Sequence, residues 1–405
     1  FYPTDALVTG PDIIFFWVAR MIMTGYEFMD EVPFKDVYFT SILRDETGKK
    51  FSKSLGNSPD PFDLFDEYGT DAVRFGTMLM APQGLDVLFS KDRLEVGRNF
   101  MNKLWNACRF VQMNIPDNWS DNQTALDDEL ELPEKWILSQ LNQAIKDYNR
   151  QLERFHFNEA AKVLYDFTWN DFCDWYIEIA KTRFYGDDEV LAEKARSVSL
   201  KVIRTVLALL HPYAPFMTEE LWHHFKLKSD GDLIITPWPK ADEKANDESV
   251  KNDMMILQDI ISSIRSIRSR MNISPSKEAD LVARCSPEQS QFLAQYEGFI
   301  FSLAKVQSLE SGEAIERPDQ SATAVVKGME LFLPLGGLID LDKEKGRLEK
   351  RIKDIEALLI GIEKKLSNEN FTKRAPENVV EHEKNKLNDL KDELTKVCGN
   401  LEVLC

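Results

Sequence analysis

Hydrophobic residues recur at intervals of three and four through the middle of the chain, the spacing of one face of an amphipathic helix. Prolines separate several of these runs, and proline starts or ends a helix far more readily than it continues one. The pattern predicts a helical bundle of roughly 140 residues, with helices over residues 91–113, 133–155, 157–183, 188–210 and 216–225.

A second hydrophobic pattern, typical of coiled coils, occupies the last part of the chain. Apolar residues alternate at spacings of three and four over residues 338–366, with Lys345 as one polar exception, and again over 380–404. A polar, proline-containing segment, residues 367–376, separates the two runs. Two matched heptad helices joined in this way predict an antiparallel coiled-coil hairpin.

The remaining segments mix short apolar runs with single helices. Residues 1–60 combine strand-like runs with one helical stretch over 13–25, as in the last β-α-β portion of a doubly wound sheet. A short strand is predicted at 233–236 within a polar connector. Beyond it the pattern predicts a small α+β domain, with helices at 254–271 and 287–304 and strands at 279–284, 322–326 and 329–333.

Composition limits the functions that are open to the chain. Its 43% of hydrophobic residues can form buried cores, and its net charge of −18 argues against general affinity for nucleic acid. A nucleic acid held on local basic patches stays possible. The longest apolar run, residues 13–23, contains Arg20 and is too short to span a bilayer.

The cysteines and histidines show no grouping. None of the five cysteines forms a C-x-x-C pair, and the five histidines lack metal-ligand spacing. We therefore predict reduced thiols, no bound metal, no membrane association and a cytoplasmic location. Because the chain begins at Phe1 in the middle of a strand-like pattern, we expect an excised fragment.

Residues 44–58, here called the lysine loop, concentrate cations and hydroxyls around glycines. Ammonium groups can neutralise the charge that develops when pyrophosphate leaves, so the loop suits a polyphosphate. The spacing is not that of a Walker loop, which has the pattern G-x-x-x-x-G-K-[ST]. A solvated basic loop is the alternative interpretation of its central residues, Lys49, Lys50, Ser52, Lys53 and Ser54.

The stretch Lys-Phe-Ser-Lys-Ser at 50–54 resembles the KMSKS loop of class I aminoacyl-tRNA synthetases, with Phe where Met is usual. Segments 8–23, 210–222 and 366–371, with the terminal hairpin, extend the resemblance to valyl-tRNA synthetases over essentially the whole chain. Isoleucyl enzymes, the second choice, commonly end in a cysteine-rich zinc module that is absent here. The family's HIGH motif and editing domain have no counterpart in these residues.

The resemblance implies a mainly α fold and the C-terminal fragment of a valine–tRNA ligase. That enzyme activates valine with ATP and Mg²⁺ and transfers it to tRNA(Val); the fragment alone is expected to be an inactive monomer. The implied parts are the remnant of a Rossmann-like α/β catalytic domain (1–60), a connective segment (61–95), a helical-bundle anticodon-binding domain (96–240), a small α+β domain (241–338) and a coiled-coil tRNA-binding arm (339–405).

The resemblance also implies roles for residues near the lysine loop. Lys53, supported by Lys50, would contact the ATP phosphates, and Phe51 would anchor the loop by packing. Ser52 and Ser54 would donate to phosphate or cap the following turn. The turn of Gly10 and Asp12 would contact ribose or the substrate amino group, although Asp12 is also a fitting helix N-cap. Side chains that would wall the valine, or belong to a core, are Ile13 and Trp17.

The helix predicted at 91–113 has one apolar face and one face of amides and cations, with no acidic residue between Glu95 and Asp117. Amides and cations read base edges, and an exposed Phe offers a platform to an unstacked base. By the resemblance this face binds the anticodon through Asn99, Lys103, Asn106, Arg109 and Phe110. A later aromatic, Trp175, adds stacking or belongs to the core.

Two other basic regions have open interpretations. The acid-free stretch 260–277 would contact phosphate or pack as a helix with solvated arginines. Near the tip of the hairpin, Lys364, Lys365, Lys373 and Arg374 are the candidates for touching the tRNA. A coiled-coil interaction or scaffold protein is the alternative from a different functional class; it predicts oligomerisation through 340–405 and no RNA binding.

Overall fold

The computed structural model describes residues 2–81, 84–116, 130–227, 229–242, 247–367 and 377–404. The described chain is mostly helical with a small sheet, and it forms two compact units, Phe1–Lys251 and Asn252–Cys405. Among the described helices, none combines the length and the apolar character that crossing a bilayer requires.

The first unit begins with two parallel strands joined by a helix. Strand β1 (Thr4–Thr9) pairs in register with β2 (Phe34–Phe39), and α1 (Ala19–Met29) lies between them in the chain. The predicted single helix over 13–25 is wrong in detail, because a 3₁₀ turn (Pro11–Ile13) and a π-helical turn (Ile14–Val18) precede α1.

Two further strands bracket the lysine loop. β3 (Leu43–Arg44) pairs in parallel with β4 (Val87–Leu88), a pair that the hydrophobic pattern did not indicate. Between them lie α2 (Pro61–Tyr68), with Asp60 as its N-cap, and α3 (Thr70–Met80).

Helix α4 (Lys91–Met113) packs against α3 through two glycines. A Cβ on Gly97 would lie 2.3 Å from the Ala72 carbonyl oxygen, and one on Gly76 would lie 2.7 Å from the Arg93 carbonyl oxygen. The absence of both side chains lets the backbones touch. The rings of Phe75 and Phe100 stack beside this contact at 4.7 Å between centroids.

The predicted bundle helices are present with shifts of one or two residues at their ends. Buried aromatic rings, including Tyr148, Phe172 and Tyr176, fill the space between them. The predicted strand at 233–236 is wrong, since Leu233–Ile235 form a 3₁₀ turn. The helices are α5 (Leu132–Glu153), α6 (Phe157–Asp166), a continuous π-helical stretch (Phe167–Tyr176), α7 (Ile177–Phe184), α8 (Glu189–Leu210) and α9 (Pro215–Phe225).

Polar side chains of α3 bind the turn between α8 and α9. Asp71 Oδ2 accepts the Met217 N–H at 2.6 Å, which satisfies a free donor in the first turn of α9. Arg74 donates to the carbonyls of Pro212 and Tyr213 at 3.1 and 3.0 Å. These bonds attach the bundle to α3, the second helix after the lysine loop.

The second unit contains a four-stranded mixed sheet in the order β6-β5-β8-β7. β5 and β6 are parallel and the other pairs are antiparallel; the hydrophobic pattern missed β6. Helices α10 (Glu248–Arg270), α11 (Pro287–Gln295) and α12 (Glu297–Ala304) accompany strands β5 (Ala279–Arg284), β6 (Val306–Gly312), β7 (Ser321–Val326) and β8 (Met329–Pro334).

Two of the three arginines in the acid-free stretch 260–277 have structural partners. Arg268 is buried and donates to the carbonyls of Lys305 and Ser274 at 3.2 and 3.1 Å, and Arg265 donates to that of Leu303 at 2.9 Å. Arg265 and Arg268 thus bind backbone oxygens of their own unit and are not free to contact phosphate, whereas Arg270 is exposed.

Two long helices, α13 (Leu341–Leu366) and α14 (Glu377–Leu404), pack along each other at the end of the chain. Their ion pairs join Arg351 to Glu393 and Lys365 to Glu383, so positions advance along α13 as they recede along α14. The helices are therefore antiparallel, with a seam formed by Ile355, Leu359, Ile362 and Leu390.

Candidate functional site

The lysine loop folds into two consecutive turns. In the first, the Asp45 N–H donates to the Lys49 carbonyl at 2.8 Å and Gly48 takes a positive φ of 83°, which closes a tight hairpin. In the second, the N–H of Gly56 donates to the Ser52 carbonyl at 3.1 Å. Phe51, between the turns, packs on Phe89 with 5.7 Å between ring centroids. The anchoring expected of Phe51 is therefore present.

Lys50 and Asp12, far apart in sequence, form an ion pair with 2.6 Å between Nζ and Oδ2. The hydrogen bond from Lys50 is the main reason why the pKa of Asp12 lies below its usual range. Gly10 is the N-cap of the 3₁₀ turn and Ile13 that of the π-helical turn, so Asp12 is not a helix N-cap here. A Cβ on Gly10 would lie 2.6 Å from Asp12 Oδ1, so only glycine leaves this carboxylate its position.

The second lysine of the motif is exposed. Within the described ranges, the ammonium group of Lys53 has no hydrogen-bond or ion-pair partner. Ser52 and Ser54 bond to each other at 2.8 Å between hydroxyl oxygens. Of the two motif lysines, Lys50 is therefore held in an ion pair, whereas the ammonium group of Lys53 is available.

Ile13 and Trp17 lie at the start of the helical segment beside Asp12. Their exposures of 40% and 60% exclude core burial within this chain. An exposed indole on the helical segment that follows Asp12 can form the apolar wall of a small-molecule site.

The polar face of α4 is only partly free. Asn99, Asn106 and Arg109 are exposed. Lys103 is ion-paired with Asp174, and its Nζ lies 3.9 Å from the centroid of the Trp169 ring. The face therefore offers two amides and one guanidinium directly, and a lysine only after its contacts break.

The ring of Phe110 was expected to be exposed, and this expectation is wrong. It is half-buried against Phe184, with 5.9 Å between centroids, and against Tyr185 at 6.4 Å. Tyr185 is 71% exposed, so it presents the larger free aromatic surface. The helical pattern gave no signal for Tyr185, because this residue follows the last turn of α7.

Trp175 is half-buried in the π-helical stretch that faces α4. The wider turn of a π-helix displaces side chains from the usual helical faces, and such stretches are frequent at functional sites. The stretch also carries Asp171, which hydrogen-bonds Gln140 at 3.4 Å. Burial raises the pKa of Asp171 to about 6.

Replacing Asp171 by asparagine is expected to stabilise the first unit at pH 7 by on the order of 2 kcal/mol. The folded state holds the Asp171 proton more tightly than the unfolded state, so this group makes the wild type lose stability as pH rises from about 4 to 6. Urea unfolding from pH 4.5 to 7.5 tests this, because all eight tryptophans, the fluorescent reporters, lie in the first unit. An unchanged pH slope in the variant contradicts the prediction, and the exposed Asp187→Asn is the control.

Comparison with known families decides the identity of the chain. Residues 1–90 match the model of class I tRNA synthetases (I, L, M and V), 134–283 that of the anticodon-binding domain of tRNA ligase, and 340–404 that of the valyl tRNA synthetase tRNA binding arm. The chain is 45% identical to a valine–tRNA ligase from Syntrophotalea carbinolica over 100% of its own length and 45% of that protein.

The chain belongs to the valyl-tRNA synthetase family. Other relatives are the valine–tRNA ligases of Chlorobaculum tepidum, 43% identical over 100% of this chain and 46% of that protein, and of Bacillus subtilis, 41% identical over 96% and 44%. The chain thus spans about half the length of the curated relatives it matches.

The candidate tRNA contacts of the arm are only partly described. Lys364 is exposed at the end of α13, and Lys365 pairs with Glu383 at 3.2 Å. Lys373 and Arg374 lie outside the described residues.

Among the described residues, Glu219, His223 and Asp232 bring three possible metal-ligand atoms close together. Two of its acids are already engaged, because Glu219 accepts the Leu233 N–H at 2.9 Å and Lys226 lies 3.8 Å from Asp232.

Proposed function

We propose that this chain is the tRNA-binding part of a valine–tRNA ligase, together with the loop that acts on ATP. The complete enzyme would activate valine with ATP and Mg²⁺ and transfer it to tRNA(Val). Family membership supports the proposal, and so does the agreement between two local sites and the two halves of this reaction.

We propose the same division of labour along the chain that the resemblance implied. Residues 1–60 close a Rossmann-like catalytic domain, 61–95 connect it to the bundle, and 96–240 form the anticodon-binding bundle. Residues 241–338 form the small α+β domain, and 339–405 the tRNA-binding arm.

The polar face of α4 is the observation that carries the tRNA-binding part of the proposal. In a protein of net charge −18, the surface of this helix beyond Glu95 offers amides and a guanidinium without an acid on the same helix. Asn99 and Asn106 can hydrogen-bond base edges, and Arg109 can bind a phosphate or a base. Phe110 and Tyr185 lie beside them as aromatic surface on which an unpaired base can stack.

The lysine loop supports the ATP part of the proposal. Lys50 and Asp12 hold each other at 2.6 Å where the resemblance places the substrate's polar groups, and Trp17, on the helical segment that follows Asp12, is exposed. Lys53 is available for a phosphate group. Since the charge on departing pyrophosphate develops during the reaction, a fixed ammonium group lowers the barrier more than it strengthens ATP binding.

The scaffold alternative requires the hairpin to associate with other chains. In the described hairpin the apolar seam of α13 is already covered by α14, with Ile355 fully buried and Leu390 9% exposed. A hairpin that fills its own seam has no need of a second copy, which favours a monomer with the arm available to tRNA.

Arg109→Ala is expected to weaken binding of this chain to tRNA(Val) and to lower the salt dependence of binding by about one phosphate contact. Phe110→Ala is expected to cost ~1–3 kcal/mol of binding if a base stacks on this aromatic group. Gel-shift titrations against valine and isoleucine tRNAs at several salt concentrations measure both effects. Arg154→Ala is the matched control, because Arg154 is an exposed arginine at the other end of the bundle. Glu131, just before α5, pairs with Arg183 of α7, and Arg154 follows the opposite end of α5.

Normal tRNA binding by both variants, with the bundle still folded, would show that α4 does not present the reading face. Absence of any tRNA binding by the wild-type chain, combined with self-association in sedimentation, would favour the scaffold function instead.

A further inference from the structure

Two side chains that no motif singled out close the lysine loop at its base. Asn57 Nδ2 donates to Asp45 Oδ2 at 2.7 Å, across the whole length of the loop. We name this contact the Asp45–Asn57 clasp. It joins the start of the first turn to the residue that follows the second.

Asp45 organises the first turn. Its Oδ1 accepts hydrogen bonds from the Thr47 N–H and the Lys49 N–H, each at 2.9 Å, and from the Thr47 hydroxyl at 2.7 Å. One carboxylate therefore orients the backbone that leads into Lys50. The hydrogen bonds from Asn57, Thr47 and Lys49 lower the pKa of Asp45, so the carboxylate stays charged and accepting at neutral pH.

Asn57 organises the second turn. Its Oδ1 accepts the Ser52 N–H at 2.9 Å, at the point where the turn that carries Lys53 begins. Its amide group also approaches the Lys50 carbonyl at 3.3 Å. A single amide thus contacts the backbone at both lysines' turns and the carboxylate of Asp45.

The clasp leaves the two motif lysines in different states. Lys50 is directed onto Asp12, whereas Lys53 extends from the second turn without a partner in the part of the chain that is described. Lysine side chains and glycine-containing turns lose much conformational freedom on ordering, so a loop of this composition needs such bonds to hold one geometry.

We propose that Asp45 and Asn57 are positioning residues, which hold Lys50 and Lys53 at the geometry required by the departing pyrophosphate. They act through the loop and do not touch the reacting atoms. The inference rests on the proposed ATP-dependent function for its catalytic part, whereas the ordering of the loop depends on the hydrogen bonds alone.

An exchange of the two side chains tests the clasp. In Asn57→Asp, two carboxylates face each other. In Asp45→Asn, the new amide NH₂ group faces the NH₂ group of Asn57, while the amide oxygen still accepts the hydrogen bonds of the first turn. The double variant with both substitutions restores one donor and one acceptor in reversed order, at unchanged net charge. Loss followed by recovery is a result that general damage to the fold does not produce.

Trypsin cleavage after Lys49, Lys50 and Lys53, followed by mass spectrometry on the intact 405-residue chain, measures how often the loop opens. Rates are divided by those of the same variants in urea, which removes the effect of nearby charge on the protease. Each single variant is expected to be cleaved ~10-fold faster than the wild type, and the double variant within about twofold of it. Wild-type rates in the single variants, or no recovery in the double variant, overturn the clasp.

Valine-dependent ATP–pyrophosphate exchange by the complete ligase tests the catalytic part. Asn57→Asp is expected to lower kcat ~10-fold with little change in the KM for valine, and the double variant to recover most of it. A loosened loop with unchanged kcat overturns the positioning role. If the wild-type ligase shows no exchange, the proposed function fails, while the trypsin rates still decide whether the clasp orders the loop.

Discussion

Lys53→Ala is expected to lower the rate of valine-dependent ATP–pyrophosphate exchange by the complete ligase by ~10²–10³-fold. The Lys53 ammonium group is exposed, while Lys50 is already paired with Asp12. A charge that is free in the ground state can be used in the transition state, so the loss should appear in kcat more than in the KM for ATP. Steady-state exchange at saturating valine and varied ATP measures both constants.

Lys49→Ala is the matched control for this prediction. Lys49 belongs to the same loop and carries the same charge, and its N–H bond to Asp45 survives the substitution. We expect a change of less than about threefold, because a general effect of loop charge on exposed groups is weak. If Lys53→Ala instead weakened tRNA binding and left exchange intact, the role given to the loop would be wrong.

Gly97→Ala is expected to destabilise the first unit by about 3 kcal/mol or more, at the upper end of overpacking substitutions. The new Cβ would meet the Ala72 carbonyl oxygen at 2.3 Å, and a backbone atom within a helix cannot move without moving α3. Urea unfolding followed by tryptophan fluorescence measures the loss.

The control for Gly97→Ala is Asn102→Ala on the same helix, where the side chain is exposed. Alanine is the better helix former there, so we expect a change of at most ~0.5 kcal/mol, in the stabilising direction. Equal stability of Gly97→Ala and wild type would mean that α3 and α4 can separate freely. The geometry of the α4 face would then depend less on this contact than we infer.

The long helices could be predicted from sequence because each buries one continuous face. The run at 91–113 corresponds to α4, Lys91–Met113, residue for residue. Strand β6, Val306–Gly312, could not be predicted in the same way, because its sequence is half polar and does not alternate regularly between apolar and polar residues. It forms a strand through its pairing with β5 in the sheet. The π-helical stretch was likewise hidden, since it continues a predicted helix and differs only in its backbone bonds.

For the candidate site, residue types were predictable and their contacts were not. The resemblance indicated Lys50 and Asp12 separately, but their ion pair depends on how β1 and the loop meet in space. The burial of Phe110 depends on rings at the end of α7, more than 70 residues away. A local signal for the clasp was present, as an Asp at the start of a Gly-containing turn and an Asn after a Gly.

The two buried thiols of the bundle can report how often its helices separate. Cys108 on α4 is completely buried and Cys173 nearly so; burial raises the pKa of the Cys173 thiol to about 12 and that of Cys108 further. An alkylating reagent that attacks thiolates can reach neither until the helices part. Cys398, partly exposed on α14, reacts without that event and serves as the reference. The labelling rate of the bundle thiols relative to that of Cys398 therefore measures how often the bundle opens. The measurement needs no substitution in the chain.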